Sequence, residues 1–260
     1  MHNRVMRMVG AGVLICAAAA PAAADDRAAF LAGTAKTCGG CDLVGLDLHG
    51  RVFKRARLEW AKLAGANLTG ADFFRAGLAH ANLAAATLAG ANLNLVDAKW
   101  ADLSRADLSH ALLFEADLAG AKLANANLQD ALLGRARLNE ADLTGANLTG
   151  ADLTDARLAG AKLAGAMLRA VKLNKQNLRD MDLRGVDFAT ADMIEADLTG
   201  ADLRGANLAG VDLTAANLHG ADLRGAHFDG AKLTNAILSD TRREGATFVG
   251  AIMPEGWEKE

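Results

Sequence analysis

The sequence predicts an all-β solenoid that closes one coil every twenty residues, and three observations carry that expectation. A large apolar residue returns at every fifth position from Leu43 to Met253, with no insertion or deletion, and only Ala98 and Arg243 depart from the rule. Alanine sits two places before each of these centres, from Ala56 to Ala251 with few exceptions. Proline is confined to Pro21 and Pro254. Because proline cannot donate to a hydrogen-bond ladder, its exclusion from the whole interval marks one continuous backbone-paired structure.

The five-residue period decides the winding. On an α-helix five residues advance about 500°, so successive centres would fan out around the axis. On a flat strand an odd period would send them to alternate faces. For every centre to face one interior, the chain must turn by a fixed angle once per pentad, which makes a solenoid. Charges set the coil size. With four pentads per coil, residues twenty apart stack, and the column Asp42, Lys62, Asn82, Asp102, Lys122, Asp142, Lys162, Asp182 nearly alternates in sign. So does Arg75, Leu95, Glu115, Arg135, Asp155, Lys175, Glu195. At a strand spacing of about 4.8 Å such opposite charges attract. A fifteen-residue coil gives no such ladder.

Composition agrees. Of the 260 residues 52% are hydrophobic but only 4% aromatic, with no Tyr, so the interior is narrow and filled by Leu and Ala. The net charge of −3 argues against a general nucleic-acid binder.

The N-terminus reads as an address. Arg4 and Arg7 precede an apolar run from Met8 to Ala20, then Pro21, three alanines and Asp25. A basic start, a short apolar core and an A-x-A site are the pattern of a cleaved secretory signal over 1–24. About 13 apolar residues are few for a membrane span; a retained amphipathic or anchoring N-terminus is the alternative. Ile15 stands where a lipoprotein site before Cys16 needs a small residue. The expected product begins at Asp25 and is exported, periplasmic or secreted, with no transmembrane segment in the mature chain. Residues 25–42 are an N-terminal cap, 43–253 the solenoid and 254–260 a C-terminal tail.

Within the cap, Cys38 and Cys41 stand three apart. In an oxidising compartment a structural disulfide is the simplest reading. Redox and metal roles are the alternatives, although zinc would need two further ligands and the histidines are scattered. The cap is expected to open with a helix over 25–37, with Asp25 or Asp26 as N-cap and Phe30 and Leu31 over the first coil. Trp257 is placed to fold over the last coil.

The run of A-(D/N)-L-x-x, as in Ala141-Asp142-Leu143-Thr144-Gly145 and Ala146-Asn147-Leu148-Thr149-Gly150, resembles the pentapeptide-repeat proteins over more than four-fifths of the chain. The resemblance implies a right-handed quadrilateral β-helix, with the centre and the residue two before it pointing inward. Here that is about eleven coils and a rod on the order of 50 Å long. Exported members commonly carry a C-x-x-C before the first pentads, and some members dimerise. Other members mimic duplex DNA and bind a type II topoisomerase such as gyrase, giving quinolone resistance. That activity needs a cytoplasmic location and a strongly acidic surface. The nearest acidic strip here, Asp182, Asp202 and Asp222, is short and ends at Arg242.

Two features break the repeat. Val171, Gln176, Met181 and Val186 replace the inward alanine through one full coil, which predicts a local irregularity or bend over 171–190. Large apolar residues also occupy outward positions in the N-terminal half. Phe74 and Phe114 share one column and Leu112 and Leu132 its neighbour, with Leu95 beside them, while Trp60, His80 and Trp100 form a column on the adjoining face. An exposed patch of this kind marks a contact with a protein partner or a second copy. No nucleophile motif, phosphate loop or metal spacing occurs, and a Leu- and Ala-filled interior leaves no room for a small-molecule substrate or cofactor. The sequence therefore points to a non-enzymatic, exported interaction rod, with topoisomerase mimicry as the alternative.

Overall fold

A computed structural model describes residues 24–257. The expected signal segment lies almost wholly outside these residues, as does the end of the C-terminal tail.

Each pentad is a short extended stretch followed by a tight turn, and residues twenty apart pair in parallel, from Thr37 with Arg57 to Lys232 with Ile252. Four pentads thus form the four sides of each coil. We number the sides by their first copies: side 1 is 41–45, side 2 is 46–50, side 3 is 51–55 and side 4 is 56–60.

The repeat supplies a reason for each of its positions. The centre and the residue two before it fill the interior, where most are under 2% exposed. Centre N–H groups donate to the coil above, as from Leu123 to the Asp142 carbonyl at 2.7 Å. The Asp or Asn just before the centre caps the turn. Its Oδ1 accepts the N–H two residues on, as from Ser104 to Asp102 at 3.0 Å and from Thr144 to Asp142 at 3.1 Å. These carboxylates are therefore occupied by the backbone, a familiar use of Asp and Asn in turns. The last residue of each pentad takes a left-handed conformation, with φ between 53° and 74° throughout the solenoid.

The N-terminal cap is shorter than the sequence suggests. Its helix α1 runs Ala24–Leu31, so Asp25 and Asp26 lie inside it and not at its N-cap. Gly33, with φ of 78°, ends it: Thr34 donates to the Ala29 carbonyl and Gly33 to that of Phe30, both at 3.0 Å. The helix is fastened to the first coil. Phe30 stacks on Phe53 at 5.4 Å and Phe53 on Phe73 at 5.0 Å, forming a column of rings in the interior. Arg27 Nε donates to the Asp42 carbonyl, and Arg51 to that of Leu31. Cys38 and Cys41 are buried beneath α1 with Cα atoms 5.3 Å apart and their sulfurs at bonding distance. At the other end Trp257 tilts over Phe248 at 5.6 Å, with the Arg243 guanidinium 4.5 Å from its ring.

One coil differs from the rest. Across Val171, Gln176, Met181 and Val186 the turn bonds lengthen to 3.2–3.4 Å, whereas the alanine turns immediately below, at Ala141 to Ala156, measure 2.9–3.0 Å. The parallel pairing present elsewhere is missing between Arg157 and Asn177 and between Lys162 and Asp182. Sides 4 and 1 are open there.

Candidate protein-contact surface

The outward apolar residues do not form one patch. Leu112, Phe114 and Leu132 lie together on side 3 and line a shallow groove of about 380 Å³, with Gly134 in its floor. Phe114 is 45% and Leu132 49% exposed. Leu112 and Leu132 stand where a turn-capping Asp or Asn usually sits. The cap for Phe114 comes instead from the coil below, whose Asn94 Oδ1 accepts the Phe114 N–H at 2.8 Å. Arg135, 5.9 Å from the Phe114 ring, pairs with Glu115 at 3.3 Å and Asp155 at 3.8 Å along the rim. Apolar floor and charged rim are the usual build of a protein-contact site.

Phe74 and Leu95 are half-buried, contrary to the sequence reading. The Arg75 guanidinium lies 5.3 Å from the Phe74 ring and screens it. Leu95 stands in its column between Arg75 and Glu115.

Trp60, His80 and Trp100 run along the far edge of side 4, at its corner with side 1, so all of side 4 separates them from the groove. Trp60 stacks on His80 at 4.1 Å, with planes 7° apart. Trp60 is 46% and Trp100 52% exposed, and both are left-handed, with φ of 63° and 57°. Glycine adopts that conformation freely; for an L residue it costs on the order of 1–2 kcal/mol. The Trp100 ring covers Gly120, where any Cβ would collide with it. Two large aromatic rings held half-exposed along one edge form a second candidate contact.

Exposed apolar residues also occur where the sequence reading placed none. Val52, Met167, Ile237, Val249 and Ile252 are exposed, but they are spread singly over the rod. Isolated apolar residues of this kind are ordinary on protein surfaces.

The acidic strip is not acidic. Arg184, Arg204 and Arg224 each grip the carboxylate two residues before, with paired bonds of 2.6–2.8 Å to Asp182, Asp202 and Asp222. These bonds hold all three carboxyls below their ordinary range. Further contacts run up the column, Arg184 to Asp202 at 3.7 Å and Arg204 to Asp222 at 3.9 Å. The D-x-R spacing that makes this zipper was visible in the sequence. Among the described residues no group of three His, Cys, Asp or Glu side chains could hold a metal ion, and no helix is long and apolar enough to cross a membrane.

Comparison with known proteins agrees with the repeat. The family profile "Pentapeptide repeats (8 copies)" matches in overlapping segments that together span 41–253. The chain belongs to the pentapeptide-repeat family. The right-handed quadrilateral β-helix is the architecture of that family. Among solved structures the chain is similar to HetL, a pentapeptide repeat protein involved in heterocyst differentiation regulation in the cyanobacterium Nostoc sp. strain PCC 7120. Identity is 33% over 90% of this chain and 97% of that one, with a TM-score of 0.35. It is also similar to a trypsin-treated form of QnrB1, a plasmid-mediated fluoroquinolone resistance protein. There identity is 18% over 76% of this chain and 90% of that one, with a TM-score of 0.46. A third likeness is a pentapeptide repeat protein of the Arabidopsis thaliana thylakoid lumen. It is 30% identical over 39% of this chain and 68% of that one, with a TM-score of 0.26. No curated protein matches.

Proposed function

We propose that this chain is an exported, non-enzymatic interaction rod that docks a protein partner, or a second copy of itself, through the Leu112–Phe114–Leu132 groove and the Trp60–Trp100 corner. The groove carries the reading. Turn-capping Asp or Asn is replaced by leucine in two successive coils, next to an exposed phenylalanine, on a rod whose remaining surface is mostly polar. The family supports the general role, since its members serve as structural or interaction modules. The basic, apolar and A-x-A succession of the first 24 residues supports export. In an oxidising compartment Cys38 and Cys41 would be joined as a disulfide beneath the cap. Topoisomerase mimicry is disfavoured by the Asp–Arg zipper, which neutralises the Asp182–Asp202–Asp222 strip.

Two measurements test this. Intact mass from fractionated cells is expected to show a product beginning at Asp25, with two thiols that alkylate only after reduction. A full-length cytoplasmic product with free thiols would sink the export reading. Photo-crosslinkers placed at Phe114 and at Asn217, which lies on another side, are expected to capture a discrete species only at the first site. Leu112→Glu together with Leu132→Glu, with the crosslinker kept at position 114, should abolish that species while the far-ultraviolet spectrum stays unchanged. Capture that survives both charges would remove the groove from the function.

A further inference from the structure

The opening beside the irregular coil has a mechanical reading. From Leu43 to Leu233 every centre except two donates its N–H to the coil above; the exceptions are Leu158 and Leu163. The turn residues Asp155, Gly160 and Gly165 also lack that bond, and so do Asn177 and Asp182 in the opposite direction. The charge columns part at the same place. Asp155 pairs downward with Arg135 and Lys175 upward with Glu195 at 3.6 Å, and no ion pair joins Asp155 to Lys175 or Lys162 to Asp182. Side 2 stays joined, and side 3 is joined as far as its centre, Leu153. On side 2 Leu168 donates to the Asp187 carbonyl at 2.7 Å and Asp187 to that of Ala166 at 3.2 Å, while on side 3 the bonds from Leu153 to Lys172 and from Lys172 to Ala151 measure 3.1–3.2 Å. The opening forms a cleft of about 510 Å³.

The cause lies inside. Gln176 is 5% exposed, and its Nε2 donates at 2.8 Å to the Leu153 carbonyl, which in a regular coil serves the turn alone. With Met181 beside it, the coil carries more volume at its inward positions than two alanines leave room for, and close-packed interiors do not absorb such volume without moving backbone. Yet Leu158, Leu163 and Met181 remain at least nine-tenths buried. The gap therefore lets water reach the backbone but is too narrow for a polypeptide strand, which would part the coils by a whole extra rung of about 4.8 Å and bare those side chains.

We propose that residues 153–184 form a flexure joint, held open on sides 4 and 1 by Gln176 and Met181 and hinged on sides 2 and 3. It divides the rod into two rigid stacks that rock against each other. A break in the ladder with the interior sealed is the place where a solenoid bends at least cost, because each repeat contacts only its neighbours.

Hydrogen exchange on the full chain tests the joint. The amides of residues 158, 160, 163 and 165 are expected to exchange at least tenfold faster than their counterparts at 118, 120, 123 and 125. The quadruple variant Val171→Ala, Gln176→Ala, Met181→Ala, Val186→Ala should bring both sets to the same protection. Equal protection in the natural chain overturns the proposal, and so does fast exchange persisting in the folded variant. A measurement independent of that variant uses spin labels at Ala159→Cys and Arg179→Cys, compared with Ala119→Cys and Asn139→Cys. The pair across the opening should give the broader distance distribution, and equal widths overturn the joint.

Discussion

The coil over 121–140 and the coil over 171–190 share one period, one register and the same kind of centre, yet the first is bonded on all four sides and the second is parted from its neighbour on two. Below the opening, Leu123, Leu128, Leu133 and Leu138 all donate upward at 2.6–2.8 Å. The coils differ inside at the position two before each centre, Ala in one and Val171, Gln176, Met181 and Val186 in the other. Leucine thus fills the rod while alanine sets how closely the coils approach.

Substitution at these two positions can break that comparison. The largest effect is expected from Leu143→Ala, which empties a fully buried site in a closed coil and should cost about 2–5 kcal/mol. Met181→Ala should cost less than about 1 kcal/mol, because the lost apolar contact is offset by relief of crowding. Ala126→Met makes the converse change in a closed coil, with an expected loss of about 1–3 kcal/mol. Chemical denaturation checks all three. A Met181→Ala loss as large as that of Leu143→Ala would show that the opening does not come from crowding.

A second pair of substitutions sharpens the role of outward residues. Gly120 and Gly220 are both left-handed, with φ of 65° and 68°, but only Gly120 has a tryptophan over it. Alanine at either position should cost about 1–2 kcal/mol for the conformation alone. Gly120→Ala should cost more than Gly220→Ala and also shift the tryptophan emission as Trp100 is pushed into water. Equal losses with unchanged emission would mean that Trp100 does not rest on Gly120.

The smallest effect is expected from acid. Asp182, on the upper lip of the opening, and Asp202 and Asp222 above it are held below their ordinary range chiefly by hydrogen bonds from Arg184, Arg204 and Arg224. A carboxyl depressed in the folded state contributes stability above its unfolded value and loses it as pH falls through the folded one. Melting temperature should therefore be flat above about pH 5 and fall below about pH 4. Arg204→Ala should flatten that acid limb. An acid limb unaffected by the change would show that the zipper contributes nothing to stability.

Much of the candidate site was legible too, but unevenly. Leu112, Phe114 and Leu132 could be gathered into one groove because register alone stacks them. Phe74 and Leu95 could not be judged, since their burial depends on where the long side chains beside them lie. The acidic strip was misread because column arithmetic compares residues twenty apart, whereas the bond that neutralises Asp182 comes from Arg184, two residues along the same strand.

By itself the sequence determined the coil: a five-residue period with an inward Leu and Ala admits one winding, and charges twenty apart choose four sides. It also marked the coil whose inward residues are too large. Only the tertiary structure decided which sides open. Where crowding is released depends on how Gln176 packs and on whether its amide finds the Leu153 carbonyl, choices made by side-chain conformations in a closed interior that no period encodes.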